Sequence, residues 1–253
     1  MRVGFIGTGH IAAPMVRFLA DKGHDIAVTE RSATISAELV ASHGVAVSDP
    51  QSVIARSEIV VLCLRPQHAH AVLSPLEFRE LQGVISVMAG ITAAQLATYC
   101  DPATRIVQTI PLGFLEKGGC PLAAFGDTDI LATLFAPENP VVAITDETAF
   151  NAHFAICAMV PGLLDLMATG SDWLAAQTDN ADMAEFYTTQ LVAGFLSAMD
   201  KDRANRLVSE RDALATDGTI SLQMTDSLRN HGAHDALQTT LSEIGHRLNG
   251  TNT

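Results

Sequence analysis

Lysine is scarce in this chain. Only Lys22, Lys117 and Lys201 are present among 15 basic residues, against 28 acidic ones, and the net charge is −13. Such a surface repels polyphosphate chains, which argues against a nucleic-acid partner and leaves solubility as the role of the acidity. Aromatic residues make up only 5% and there is a single tryptophan, so a core must come from Ala, Val, Leu and Ile; the hydrophobic share of 48% is ample for one. The four cysteines, Cys63, Cys100, Cys120 and Cys157, lie far apart and form no C-x-x-C pair. That spacing argues against structural zinc. His68 and His70 have no matching ligand set, so no metal is expected. Cys63 lies in an apolar run and reads as a small core residue. The N-terminus enters a strand directly, without a signal-peptide pattern. The apolar stretch 154–167 is interrupted by Pro161 and Asp165 and reads as too short for a bilayer. The expected setting is a reducing cytoplasm, with no membrane.

What the chain does have is concentrated at its start. Arg2-Val3-Gly4-Phe5-Ile6 is a short apolar run, followed at once by Gly7-Thr8-Gly9-His10-Ile11-Ala12. This is a G-x-G-x-x-A pattern opening a helix whose Ile11, Met15, Phe18 and Leu19 share one side. Gly7 allows a sharp turn out of the strand. Gly9 lets a pyrophosphate approach the main chain, and Ala12 lets the helix pack close to the sheet. The free N–H groups and positive dipole end of that helix then face the phosphates. A second strand, 25–29, ends at Glu30, about twenty residues on, where an acid meets an adenosine ribose hydroxyl. Strand, glycine turn, helix, strand and acid in this order predict dinucleotide binding. A tight βα turn that has lost its ligand is the plainer alternative.

Further along, helix 35–42 and a short strand 45–47 precede a helix start at Ser48-Asp49-Pro50. Ile59-Val60-Val61-Leu62-Cys63-Leu64 is an unbroken apolar run, as expected for a parallel strand covered on both faces. Strands follow at 83–88 and 105–110, with short edge strands at 122–125 and 141–144. Beyond Asp146 only helices are expected, at 148–167, 182–199, 221–230 and 235–248. The segment 170–180 reads as a loop with one helical turn, and 249–253 as frayed. The fold class is therefore α/β: a Rossmann doubly wound sheet over residues 1–145, then an all-α domain over 146–253. The helical part is too small and too apolar to stand alone, which predicts a homodimer through the C-terminal helices.

Several segments resemble the pyrroline-5-carboxylate reductase family: Gly7-Thr8-Gly9, Arg31-Ser32, Leu62-Cys63-Leu64-Arg65-Pro66-Gln67 and Ser86-Val87-Met88-Ala89-Gly90-Ile91. That family has a strand ending in Lys-Pro-Gln and a similar Ala-Gly-Ile. Residues 215–223 resemble a diverged form of its proline-diglycine helix start. The resemblance implies NAD(P)H-dependent hydride transfer to a cyclic imine, of which 1-pyrroline-5-carboxylate going to proline is the family case. It also implies a helical domain that interlocks two subunits. By match, Gly7, Gly9, His10 and Ile11 hold the pyrophosphate, and Glu30, Arg31 and Ser32 meet the adenosine ribose. Leu64, Arg65, Pro66, Ala89 and Gly90 line the nicotinamide side. Thr219 and Ser221 face the substrate, with Gln223 as a further polar contact.

Departures from the family are concentrated at the substrate positions. The family's Arg-x-Met-Pro-Asn is here Gln108-Thr109-Ile110-Pro111-Leu112, Asp217 replaces the proline, and Thr219 replaces the second glycine. The cofactor choice stays open between NAD and NADP, because Glu30 repels a 2′-phosphate while Arg31 and Ser32 welcome one. The related β-hydroxyacid dehydrogenases use a lysine just after the boundary, and none occurs between Asp146 and Met199. Imine reduction needs less: a protonated cyclic imine is already electrophilic, and positioning it does most of the work. Thr219, Ser221 and the helix start behind them offer donors for a substrate carboxylate, although Asp217 and Ser221 equally suit helix capping. His153 reads as a satisfied, partly buried histidine. Two alternatives remain: a hydroxyacid- or deazaflavin-type oxidoreductase on the same fold, and a non-catalytic NAD(P) sensor.

Overall fold

The computed structural model describes residues 1–250; the C-terminal residues 251–253, part of the stretch expected to fray, lie outside the described residues. The first elements run β1 (Arg2–Ile6), α1 (Ala12–Asp21), β2 (Asp25–Val28), α2 (Ala33–His43), β3 (Ala46–Val47), α3 (Pro50–Arg56), β4 (Ile59–Leu62) and α4 (Pro66–Leu73). Next come β5 (Gly83–Ser86), α5 (Ala93–Tyr99), β6 (Arg105–Thr109), a 3-10 turn (Gly113–Lys117), β7 (Leu122–Gly126), α6 (Thr128–Phe135) and β8 (Val141–Ala143). The strands form one sheet in the order β3-β2-β1-β4-β5-β6-β7-β8. All neighbours are parallel except β6 and β7, which run antiparallel.

Alternation along the strands builds two cores. Val3 and Phe5 of β1, with Ile59 and Val61 of β4, pack on one face with Met15, Leu19, Leu131 and Phe135. Ile6, Val60 and Leu62 pack on the other with Ile54, Leu73 and Leu96. Every residue of β4 is buried, which is why its sequence reads as an unbroken apolar run rather than an alternating one. The order changes direction at β1, where β2 lies on one side and β4 on the other, so the carboxyl end of β1 is a topological switch point.

Among the described residues only helices follow β8: α7 (Glu147–Cys157), α8 (Met159–Thr178), α9 (Ala181–Ala198), α10 (Arg206–Leu214), α11 (Ile220–Asn230) and α12 (Ala233–Gly250). Contacts divide the chain into Met1–Phe154 together with the chain from Gly245 onward, and Ala155–Ile244. Several sequence expectations are corrected here. The single helix 148–167 is two, parted at Ala158. Pro161 falls in the first turn of α8, where a missing N–H breaks no hydrogen bond, so α8 continues through the expected loop to Thr178. Asn249 is helical rather than frayed, and α6 and α10 are helices in addition to those expected from the sequence.

Proline's placement also alters the bilayer argument. The helical run Glu147–Thr178 is 32 residues long with a mean hydropathy of 1.5 in its most apolar window, and 11% of that window is buried. By length and composition it is long enough to cross a membrane, contrary to the reading from Pro161 and Asp165; this is weak evidence for a span. In the unit Ala155–Ile244, Leu164, Trp173, Phe186, Tyr187 and Leu191 are exposed.

Candidate dinucleotide site

Gly7 ends β1 at φ +94°, and a Cβ there would meet the Cys63 carbonyl oxygen at 2.6 Å, so both conformation and space demand glycine. The turn is then tied to the end of β2. The Gly7 amide donates to Thr29 Oγ1 at 2.7 Å, and Thr8 Oγ1 donates to the Thr29 carbonyl at 2.6 Å. Both threonines are buried. The sequence reading passed over this pair; the only signal was a threonine immediately before Glu30 and another inside the glycine motif.

Behind the turn, α1 starts without a side-chain cap at Ile11 and carries no acidic residue in its first turn. The first helical bond runs from Ala13 N to Gly9 O, 2.9 Å. Beside Gly9 the space is open: the nearest atom to a built Cβ is Arg31 Nη1 at 3.5 Å. Amides without side-chain acceptors, an open main chain and a guanidinium at its edge form a cradle that fits a pyrophosphate.

Two clefts meet at this point and share Arg31 and Leu64. The first, of about 470 Å³, is bounded by Gly9, His10, Ile11, Ser32, Arg65 and Val87. The second, of about 550 Å³, is bounded by Gly7, Glu30, Val47, Asp49, Pro50 and Val72. The first has arginines and no carboxylate. The second pairs apolar walls suited to an adenine with two acids suited to hydroxyls. Asp49 caps α3, and bonds from the Ser52 hydroxyl at 2.5 Å and amide at 3.0 Å hold its carboxyl below the usual range. Ser32 stands at the N-cap of α2 without using its hydroxyl as a cap. Cys63 forms part of the floor of the first cleft; burial pushes its thiol up to about 12 and keeps it neutral, although Arg31 pulls the other way.

The structure thus brings Gly7, Gly9, His10, Ile11, Glu30, Arg31, Ser32, Leu64 and Arg65 to these two clefts. Pro66, Ala89 and Gly90 are not among the cleft walls. Pro66 opens α4, and Ala89 and Gly90 are half-buried in the turn after β5, next to Val87. Thr219 caps α11: it accepts from Leu222 N at 3.1 Å and donates to the Thr216 carbonyl at 2.7 Å. Ser221 is exposed in the first turn of the same helix. His153 Nδ1 lies 2.7 Å from the Ala149 carbonyl of its own helix, which gives the partly buried ring a hydrogen-bond partner.

Residues 2–90 match the family model described as NADP oxidoreductase, coenzyme F420-dependent. No curated protein matches the sequence. Among solved structures, the chain is similar to 1-pyrroline-5-carboxylate reductase from Streptococcus pyogenes (TM-score 0.83, 19% identity, 98% of each chain covered). It is also similar to the pyrroline carboxylate reductase of Plasmodium falciparum with NADP bound (TM-score 0.84, 14% identity, 100% and 98% covered). A reductive aminase from Aspergillus terreus in complex with NADPH and ethyl-5-oxohexanoate is more distant (TM-score 0.63, 17% identity, 98% and 91% covered). This chain has the fold of the pyrroline-5-carboxylate reductases, a doubly wound sheet followed by a helical region, and its residues 2–90 match the NADP oxidoreductase model.

Proposed function

We propose that this protein is an NADPH-dependent reductase of a cyclic imine, with 1-pyrroline-5-carboxylate as the first substrate to test. The observation that carries the reading is the pinned, uncapped turn at Gly7–Ala12 with Arg31 at its edge. It lies on a chain that shares its whole fold with reductases of carbon–nitrogen double bonds. When bound, the cofactor supplies the hydride. The α1 amides and Arg31 hold its phosphates, and Glu30 and Ser32 meet the adenosine ribose. Arg31 and the uncommitted Ser32 hydroxyl favour the 2′-phosphate over the bare hydroxyl that Glu30 would prefer. Leu64, Arg65, Pro66, Ala89 and Gly90 border the ring. Ser221 and Thr219 hold the substrate carboxylate. Thr219 acts through its helix start, since its hydroxyl already has two partners. An imine that arrives protonated asks no further acid of the chain.

Residues 146–253 form the dimerisation and substrate domain in this reading, and the exposed apolar side chains of α8 and α9 are covered by a second copy rather than by lipid. The protein works in the cytoplasm. The alternative of deazaflavin-dependent chemistry draws on the family match, but that match ends at residue 90 and so covers only the first part of the sheet domain. The test is NADPH oxidation with 1-pyrroline-5-carboxylate and a panel of other cyclic imines, with reduced F420 as the competing donor. Turnover of an imine by NADPH supports the reading; turnover with reduced F420 alone overturns it. NADPH binding without turnover of any imine or keto acid would make the chain a sensor.

A further inference from the structure

The turn from β5 into α5, Val87 to Thr92, is next to the phosphate cradle. Register places Leu62 of β4 beside Ser86 of β5, and Val87 already borders the first cleft. With the adenosine side at β2, a dinucleotide crossing the switch point runs out over the ends of β4 and β5. Gly90 holds φ +73° in this turn, and the segment has little secondary structure of its own to fix it. Two distant side chains reach this turn or the first residue of the helix that follows it. Gln108, 3% exposed on β6, donates from Nε2 to the Ile91 carbonyl at 2.8 Å. Glu147, from the first turn of α7, accepts the Ala93 amide on Oε1 at 2.8 Å. Thr92 and Gln95 form a capping box that satisfies other donors of this helix start, so Glu147 takes an amide the box leaves over. Gln108 is buried and, among the described residues, its Oε1 has no partner, a destabilising arrangement for a side chain whose Nε2 holds this turn.

We propose that Glu147 and Gln108 are positioning residues, a two-point brace that fixes the Val87–Thr92 turn as the seat of the nicotinamide ring. This rests on the dinucleotide reading above. Neither residue touches the adenosine half, so the brace acts on one end of the ligand only. The experiment is calorimetric titration of the full chain with NADPH and, separately, with 2′,5′-ADP, which carries the adenosine half alone. In Glu147→Ala and Gln108→Met the NADPH Kd rises about three- to tenfold, the range for losing one such hydrogen bond, while the 2′,5′-ADP Kd stays within about twofold. Glu147→Gln, which keeps an acceptor oxygen, restores most of the loss. Equal weakening of both ligands, or unchanged NADPH binding in Glu147→Ala, overturns the brace. Should Gln108→Met fail to fold, the half-buried Glu147 decides alone. A wild-type chain that binds neither ligand refutes the dinucleotide reading itself.

Discussion

Thr8 and Thr29 lock the glycine turn to the end of the neighbouring strand through two bonds: the Thr8 hydroxyl donates to the Thr29 carbonyl at 2.6 Å, and the Gly7 amide donates to the Thr29 hydroxyl oxygen at 2.7 Å. Both are buried, so neither partner can turn to water instead. Thr29→Val keeps the shape and strands the Gly7 amide. Stability is expected to fall by about 1–3 kcal/mol in urea unfolding, and NADPH affinity should fall with it.

Gly7→Ala tests the turn more severely. The substitution combines a left-handed backbone with a contact of 2.6 Å to the Cys63 carbonyl, which belongs to the equally buried end of β4. A loss of at least about 2 kcal/mol is expected, together with loss of nucleotide binding. A variant that melts with wild-type behaviour and still binds NADPH would show that the turn is not built as described.

Much of this was legible in the sequence. The glycine turn, the unbroken apolar β4 and the cap of α3 at Asp49 are local signals, and the structure realises them where they were read. Thr8 and Thr29 were missed because their partnership spans 21 residues and leaves no periodic trace. Gln108 was noted only as a substitution for a family arginine, because its bond to Ile91 depends on which strands neighbour each other. The extension of α8 was missed because 170–180, opening on Gly170, reads as a loop with one helical turn, whereas the helix runs on to Thr178. The strand at Leu122 was foreseen, but its reversed direction was not, since polarity of pairing is fixed by the connection and not by composition.

In the proposed reading, Arg31 governs cofactor choice. Arg31→Ala removes the guanidinium shared by both clefts. NADPH affinity is expected to drop about tenfold or more, with NADH affinity little changed, as measured by competitive titration. Glu30→Gln should shift preference in the opposite sense, toward NADPH.

Self-association is testable by light scattering. The proposed dimer predicts twice the chain mass. Leu191→Glu on the exposed apolar surface of α9 should yield monomer without unfolding the sheet domain, read by retained NADPH binding. A monomeric wild type at micromolar concentration would remove the dimer from the account.

His24 should shape the neutral-to-acid stability profile. Burial lowers its pKa below the ordinary 6.5, the positive N-terminus adds to the shift, and the Met1 carbonyl opposes it. Its Nδ1 is buried without a partner. The unfolded chain therefore binds the proton more readily than the native one. This contribution is whole above about pH 6.5 and is lost as pH falls toward the folded-state value. Asp49, Glu58 and Glu138, whose pKa values are also lowered, act in a separate and more acidic window. Melting temperature between pH 7.5 and 5.5 should decline less in His24→Asn than in the wild type.

The arginines of the first cleft, Arg31 and Arg65, sit on a molecule carrying −13 overall. An anionic visitor is thus pushed away at long range and held only on arrival. Added salt thins the distant repulsion first, because its reach exceeds a Debye length of about 8–10 Å, while the close contacts are screened much less. Association rates in stopped flow should therefore climb with moderate ionic strength, the reverse of an enzyme that steers its ligand inward.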